Sequence, residues 1–284
     1  MPPIAIITDT DASLPLDLAR KHNIVQVPIT IQFGDDSYRD VYDIDNPAIF
    51  SRIDKSGKFP TTAAPSPGQF AEAFKSAFEA GAGSILCFNV SSEVSATFSS
   101  ARAAAEMFPG QDIRVIDTRN LSLGQGFMAL AAAEAVAGGA SVEEAIAAAE
   151  DTGKRAHLFA SLATLKYLAM SGRVGHLAAG LAGLMDVKPI LTVKDGKLQM
   201  LERVRTQSKS WARAVEVANE ANGGNRIQRL AILHVNALEA ARQFEGLVRA
   251  ALPCPADIVY ADMNPGLSIH SGSGMVAVTF VTAK

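Results

Sequence analysis

Short apolar runs recur through the first half of the chain, and each is followed by a stretch with helical spacing. IAIITD (4–9), VQVPITIQF (25–33), SILCFNV (84–90) and IRVID (113–117) read as strands. Between and after them the pattern turns helical. Ser13 offers an N-cap with Pro15 near the first turn, and Asn46-Pro47 and Ser66-Pro67 open two further helices. The second of these carries Phe70, Phe74, Ala77 and Phe78 at helical spacing. Helices follow over 94–107 and 122–137, and Ser141 with Glu144 forms a capping box for one more. Strand–helix–strand repetition of this kind builds a mostly parallel sheet with helices on both faces, a Rossmann-like α/β domain.

The second half reads differently. A helix is expected over 161–171 and a Gly-rich stretch over 172–183. VKPILTV (187–193) and LQMLERV (198–204) flank Lys194-Asp195-Gly196-Lys197, an Asp-Gly turn that marks a hairpin. A helix over 207–222, a strand over 229–235, a helix over 237–250 and strands over 257–262 and 275–281 complete the chain. This pattern predicts an α+β domain with a mixed or antiparallel sheet. The domains are expected over 1–157 and 158–284, packed closely, because no Pro- or Ser-rich linker separates them.

Composition supports two cores. The chain has 284 residues, 48 % of them hydrophobic, and domains usually run about 100–200 residues. It carries 26 basic and 29 acidic residues with no basic cluster, which excludes a nucleic-acid footprint. No run approaches the roughly 20 apolar residues of a membrane span. The start, MPPIAIITDTDAS, lacks a basic leader region, so a cytoplasmic protein is expected. Cys87 and Cys254 sit in apolar contexts without C-x-x-C spacing and read as small buried hydrophobes.

Four polar segments are candidate sites. Strand 84–90 runs into NVSSEVSATFSS, which places Ser91, Ser92, Ser95 and Thr97 at the start of a helix. Hydroxyls beside a positive helix end suit a carboxylate or phosphate, and simple N-capping explains them equally. Phe59 to Pro67 holds three prolines and reads as a stiff extended loop that either presents a Thr hydroxyl or merely connects. Ser268-Ile269-His270-Ser271-Gly272-Ser273-Gly274 sets a His among glycines, as a hydrogen-bonding partner or a structural residue. Ser171-Gly172-Arg173-Val174-Gly175 places an Arg at a helix break, suited to clamping an anion, meeting a partner or capping. Gly124-Gln125-Gly126-Phe127-Met128-Ala129 matches a dinucleotide pattern, yet residues 118–123 separate it from the preceding strand, so close helix packing is the better reading. There is no P-loop, no G-x-S-x-G elbow and no metal-ligand spacing.

Taken together and in order, these segments resemble the DegV family, the bacterial fatty-acid-binding proteins that supply a fatty acid kinase. Thr8-Asp9-Thr10 with Leu14-Pro15 resembles the family's T-D-S-x-x-D-L-P start. PTTAAPSPGQF resembles its P-T-T-S-Q-P-S-P loop, SSEVSATFSSA its S-S-x-L-S-G-T-Y-x-S-A turn, and VIDTRNLSLGQG its V-I-D-S-x-x-x-S-x-G-x-G segment. MSGRVG, VKPILTVKDG and IHSGSG resemble the G-G-R-I-G turn, the K-P-I-L-x-x-x-D-G hairpin and the H-x-G-P-G loop.

The resemblance implies the two-domain DegV fold with a lipid tail buried between or beneath the domains. It implies that Thr62 and Ser95 hold the carboxylate, that His270 supports the same polar network, and that Arg173 meets the kinase. The expected ligand is a long-chain fatty acid such as palmitate. The expected partner is the fatty acid kinase catalytic protein, with no cofactor and no catalysis by this chain. Ala63 and Ala64 replace the family's Ser and Gln, which removes one polar partner near the carboxylate. Ala96 replaces a Gly, and Ser273 a Pro. The competing reading is a small-molecule phosphoryl or acyl transferase that uses Ser95 or His270 directly.

Overall fold

The computed structural model describes residues 3–172 and 187–284. The first half contains strands β1 (Ile4–Asp9), β2 (Ile24–Val27), β3 (Thr30–Phe33), β4 (Asp36–Arg39), β5 (Thr61–Ala63), β6 (Ser84–Asn89) and β7 (Asp112–Asp117). Its helices are α1 (Leu16–Lys21), α2 (Asn46–Ser56), α3 (Pro67–Glu79), α4 (Thr97–Ala105), α5 (Leu123–Ala137) and α6 (Val142–Lys154). The second half contains β8 (Ala156–Ser161), α7 (Lys166–Met170), β9 (Lys188–Lys194), β10 (Lys197–Val204), α8 (Gln207–Asn222) and β11 (Ile227–His234). It ends with α9 (Leu238–Ala251), β12 (Val259–Asp262), α10 (Pro265–Ser271) and β13 (Val276–Thr282). Among the described residues no helix is long and apolar enough to cross a membrane.

Three sheets organise these elements. β2-β1-β6-β7 is wholly parallel. β10-β9-β8-β13-β11-β12 is mixed, antiparallel except for the β11–β12 pair. A small antiparallel sheet, β4-β3-β5, stands beside them. The expected α/β half with a parallel sheet and the α+β half with a mixed sheet are both present.

Strand alternation sorts the cores. On the parallel sheet Ile7, Ile85 and Cys87 face Phe70 and Phe74 of α3 and Ala101 and Ala104 of α4. Truncating either buried phenylalanine to alanine costs about 3–5 kcal/mol. Ile6, Leu86 and Phe88 face the opposite way, into a core shared with Leu158, Leu191 and Leu233 of the mixed sheet. The outer face of that sheet, including Phe159 and Phe280, packs against α8 and α9 through Val215 and Phe244. Helix α5 touches both sheets and is buried on nearly every side, which explains its lack of a polar stripe. A Cβ at Gly126 would lie 2.9 Å from the Ala12 carbonyl oxygen, so Gly124-x-Gly126 serves close packing. Cys87 is fully buried, and burial pushes its thiol pKa well up, whereas Cys254 is only partly buried.

Several local expectations are corrected. The run 25–33 is two strands in two sheets, because the chain breaks at Pro28, which lacks an N–H for the ladder. Ser13 does not cap α1. It ends a short 3-10 turn in the left-handed region, and Pro15 precedes the helix. The segment 59–67 is not all loop, since Thr61–Ala63 pairs with β3. Helix α4 starts at Thr97, so Ser95 precedes it. Ala156–Ser161 forms a central strand, and the helix expected over 161–171 is the shorter α7 (Lys166–Met170). His270 lies on a short helix opened by Asn264-Pro265 rather than in a glycine loop.

Candidate functional site

Residues far apart in the chain meet around one cavity of about 330 Å³, near the lower end of the range for ligand sites. Thr62 enters on β5, which is held in place because Ile31 pairs with Thr62 across β3. Ser95 enters on the turn between β6 and α4, and His270 on α10. Most of the remaining lining is aliphatic, including Leu158, Leu162, Leu191 and Leu198 from the mixed sheet and its edge.

The structure brings Thr62 and His270 into direct contact. Thr62 Oγ1 lies 3.2 Å from His270 Nε2, and the ring tautomer decides which of them donates. Ser95 Oγ lies 2.8 Å from Thr97 Oγ1 and accepts from the Thr97 backbone N–H at 3.3 Å. Ser95 and His270 therefore line one cavity but do not form a nucleophile–base pair. Arg173, the fourth candidate, lies outside the described residues. Neutral hydroxyls and an imidazole beside an aliphatic chamber suit an amphiphile with a small polar head.

A buried polar seam fixes α10 against the first half. Asn264 Nδ2 donates to the Thr10 carbonyl at 2.6 Å, and Asn46 Nδ2 donates to the Met263 carbonyl at 2.8 Å. Ser268 donates its hydroxyl to Asn46 Oδ1. The Gly266 N–H donates to Asp40 Oδ2 at 3.2 Å. Glycine at 266 lets α10 approach these carboxyls closely, because a Cβ there would lie 2.5 Å from Asp11 Oδ1 and 3.0 Å from Asp40 Oδ2. Burial pushes the Asp40 carboxyl up to about 7, against the lowering pull of the Thr10 hydroxyl and of the Gly266 and Val41 N–H groups. Burial also raises the Asp9 carboxyl, opposed by donors from Gln125, Val90, Asn89 and Asp11.

Sequence reasoning missed this seam. Asp11 lines the cavity, while Asp40 and Asn46 stand behind α10, a role that the reading of Asn46-Pro47 as a helix start did not include. The available signal was weak: polar residues at the strand end Thr8-Asp9-Thr10-Asp11, where open α/β sheets place their ligands.

Known proteins share the whole architecture. The model of the DegV family, described as an uncharacterised protein family, matches residues 3–283. A DegV domain-containing protein of Streptomyces coelicolor is 34 % identical over 275 residues, covering 97 % of each chain. Among solved structures, a DegV family protein of Thermus thermophilus, described as fatty acid binding, superposes with a TM-score of 0.89 at 31 % identity, covering 99 % of this chain and 100 % of that one. DegV of Bacillus subtilis, described as a fatty acid binding protein, gives 0.87 at 27 % identity with complete coverage of both chains. A stearic acid-binding protein of Eubacterium ventriosum gives 0.89 at 25 % identity, covering 99 % of this chain and 98 % of that one. With the family model matching almost end to end and relatives at this identity, the chain belongs to the DegV family.

Proposed function

We propose that this protein binds a long-chain fatty acid such as palmitate and presents it to a fatty acid kinase catalytic protein. Thr62, Ser95 and His270 hold the carboxylate, and the tail lies in the aliphatic cavity. Residues 1–157 supply most of the head-group site, and residues 158–284 cover the tail. Arg173 meets the kinase. The acid is cargo: acyl-phosphate formation belongs to the partner, and this chain needs no cofactor.

One observation carries the reading: the three polar candidates share a single cavity whose other walls are mostly aliphatic. The fatty-acid-binding relatives from Thermus thermophilus and Bacillus subtilis support the same ligand class. The energetics agree. Burying a palmitate tail of about 14 methylenes contributes on the order of 11 kcal/mol before the cost of association. A carboxylate buried without donors is unfavourable, and hydroxyl and imidazole donors offset that cost. A transferase would need Ser95 activated by His270, whereas Ser95 bonds Thr97 and His270 bonds Thr62.

Native mass spectrometry of the purified protein tests the reading. A co-purified long-chain acid is expected, and an empty protein that turns over an ester or nucleotide would overturn it. In fluorescent fatty-acid displacement, Ser95→Ala weakens binding more than Ser208→Ala on the exposed face of α8; equal affinities would remove Ser95 from the site. Arg173→Ala should bind lipid normally yet fail to support acyl-phosphate formation. Normal phosphorylation would end the docking role.

A further inference from the structure

We infer that Ala160 is the specificity-determining residue that sets how long a tail the cavity accepts, a step that rests on the fatty-acid reading above. Strand β8 runs along the cavity as a rail. Leu158 and Ala160, with Leu162 just beyond the strand, all line the cavity. The alternate residues turn away: Phe159 enters the outer core, and Ser161 Oγ lies 2.7 Å from Ser210 Oγ on α8. Alternation thus aims position 160 at the ligand space, and alanine leaves a notch there between two leucines.

The notch is deep and its backbone is fixed. Among the described lining residues, Ala63 and Ala96 are exposed and Ala64 is partly so, whereas Ala160 is only 6 % exposed. Strand β8 is paired on both edges, with Ala160 opposite Leu191 of β9 and Ala277 of β13. A central strand bonded on both sides resists displacement, so atoms added at 160 project into the cavity rather than being absorbed by backbone movement. Leu168 and Leu267 also line the chamber, but they sit on the short helices α7 and α10 and lack that restraint.

The test is the affinity of laurate, myristate, palmitate and stearate for the wild type, Ala160→Val and Ala160→Leu, read by displacement of a fluorescent acid. Each methylene denied burial lowers affinity by about fourfold. Ala160→Leu, which fills the space of two or three methylenes, should weaken stearate by about 15- to 60-fold and move the optimum to a shorter acid. Ala160→Val should move it the same way by less. Ranking acids within one variant does not depend on how much of that variant is folded, and the valine variant keeps the test open if the leucine variant misfolds. An unchanged ranking in both variants overturns the role of Ala160 while leaving the fatty-acid reading intact. A wild type that binds none of the four acids overturns both.

Discussion

The polar and apolar walls of the cavity are built in opposite ways. The polar wall gathers Thr62, Ser95 and His270 from a strand of the small sheet, a turn of the parallel sheet and a short helix. The Thr62–His270 contact closes 208 residues of chain. The apolar wall takes neighbouring positions from β8 and its hairpin companions, placed by strand register. The polar wall therefore depends on long-range hydrogen bonds, and the apolar wall on volume. Perturbations of polarity and of volume should separate the two.

Ligand length gives the largest effect. Shortening palmitate to octanoate removes about eight methylenes and should weaken binding by about 6 kcal/mol, measured by calorimetry or displacement. A loss of less than tenfold would mean that the aliphatic wall contributes little and that the polar wall carries recognition.

Proton linkage at the polar seam comes next. The Asp40 carboxyl is raised by burial from 3.8 to about 7, so between those values the folded state holds a proton that the unfolded state releases. Its contribution is then fully present below about pH 4, declines as pH rises to about 7 and is flat above, a change on the order of 4 kcal/mol. Asp9 is raised by burial as well and acts in the same direction. Asp40→Asn keeps an acceptor for the Gly266 N–H but removes the titration. In urea unfolding, the loss of stability between pH 5 and pH 8 should be smaller in Asp40→Asn than in the wild type. Parallel pH profiles would show that the α10 seam does not sense protons.

Thr62→Val probes the polar wall without changing its volume. Valine keeps the β-branched shape suited to β5 and removes the hydroxyl next to His270 Nε2. Affinity for palmitate should drop by about 1–3 kcal/mol, with the dependence on tail length unchanged. A variant that instead alters length preference would show that the two walls are coupled.

The same contrast governs what could be read in advance. The βα units of the parallel sheet were legible because each apolar run is bounded by turn or capping residues, as with Ser66, whose capping box with Gln69 opens α3. The partner of a strand was not legible. Residues 25–33 form one apolar run, yet its two parts join different sheets, since hydrophobicity reports burial and not pairing. β8 was hidden because AHLFAS follows directly on α6 with no glycine or proline between them. Helix α10 was masked by the glycines that follow His270, although Asn264-Pro265 carried a start signal. Thr62, Ser95 and His270 stood out by type and family pattern, but the contacts of Asp40 and Asn46 with α10 exist only once the tertiary fold brings α10 onto them.

The smallest expected effect concerns the join between the walls. The tip of the β9–β10 hairpin rests on the turn that carries Ser95. There the buried Ser91 Oγ donates to the Gly196 carbonyl at 2.7 Å, and Arg119 donates to the Asp195 carbonyl. Beside it, the more exposed Glu93 accepts from Arg119 Nη1 at 2.9 Å and lies 3.5 Å from Lys197 Nζ. Burial decides which contact matters. Ser91→Ala strands a buried carbonyl and should lower stability by about 1–2 kcal/mol at any salt concentration. Glu93→Gln removes only an exposed charge whose attraction is screened by salt, so its shift in Tm should be smaller and should vanish in 0.5 M NaCl, a strongly screening concentration. If Glu93→Gln proved the more damaging of the two, and stayed so in salt, the hairpin would be held to the Ser95 turn by charge, and the cavity's two walls would share one electrostatic clasp.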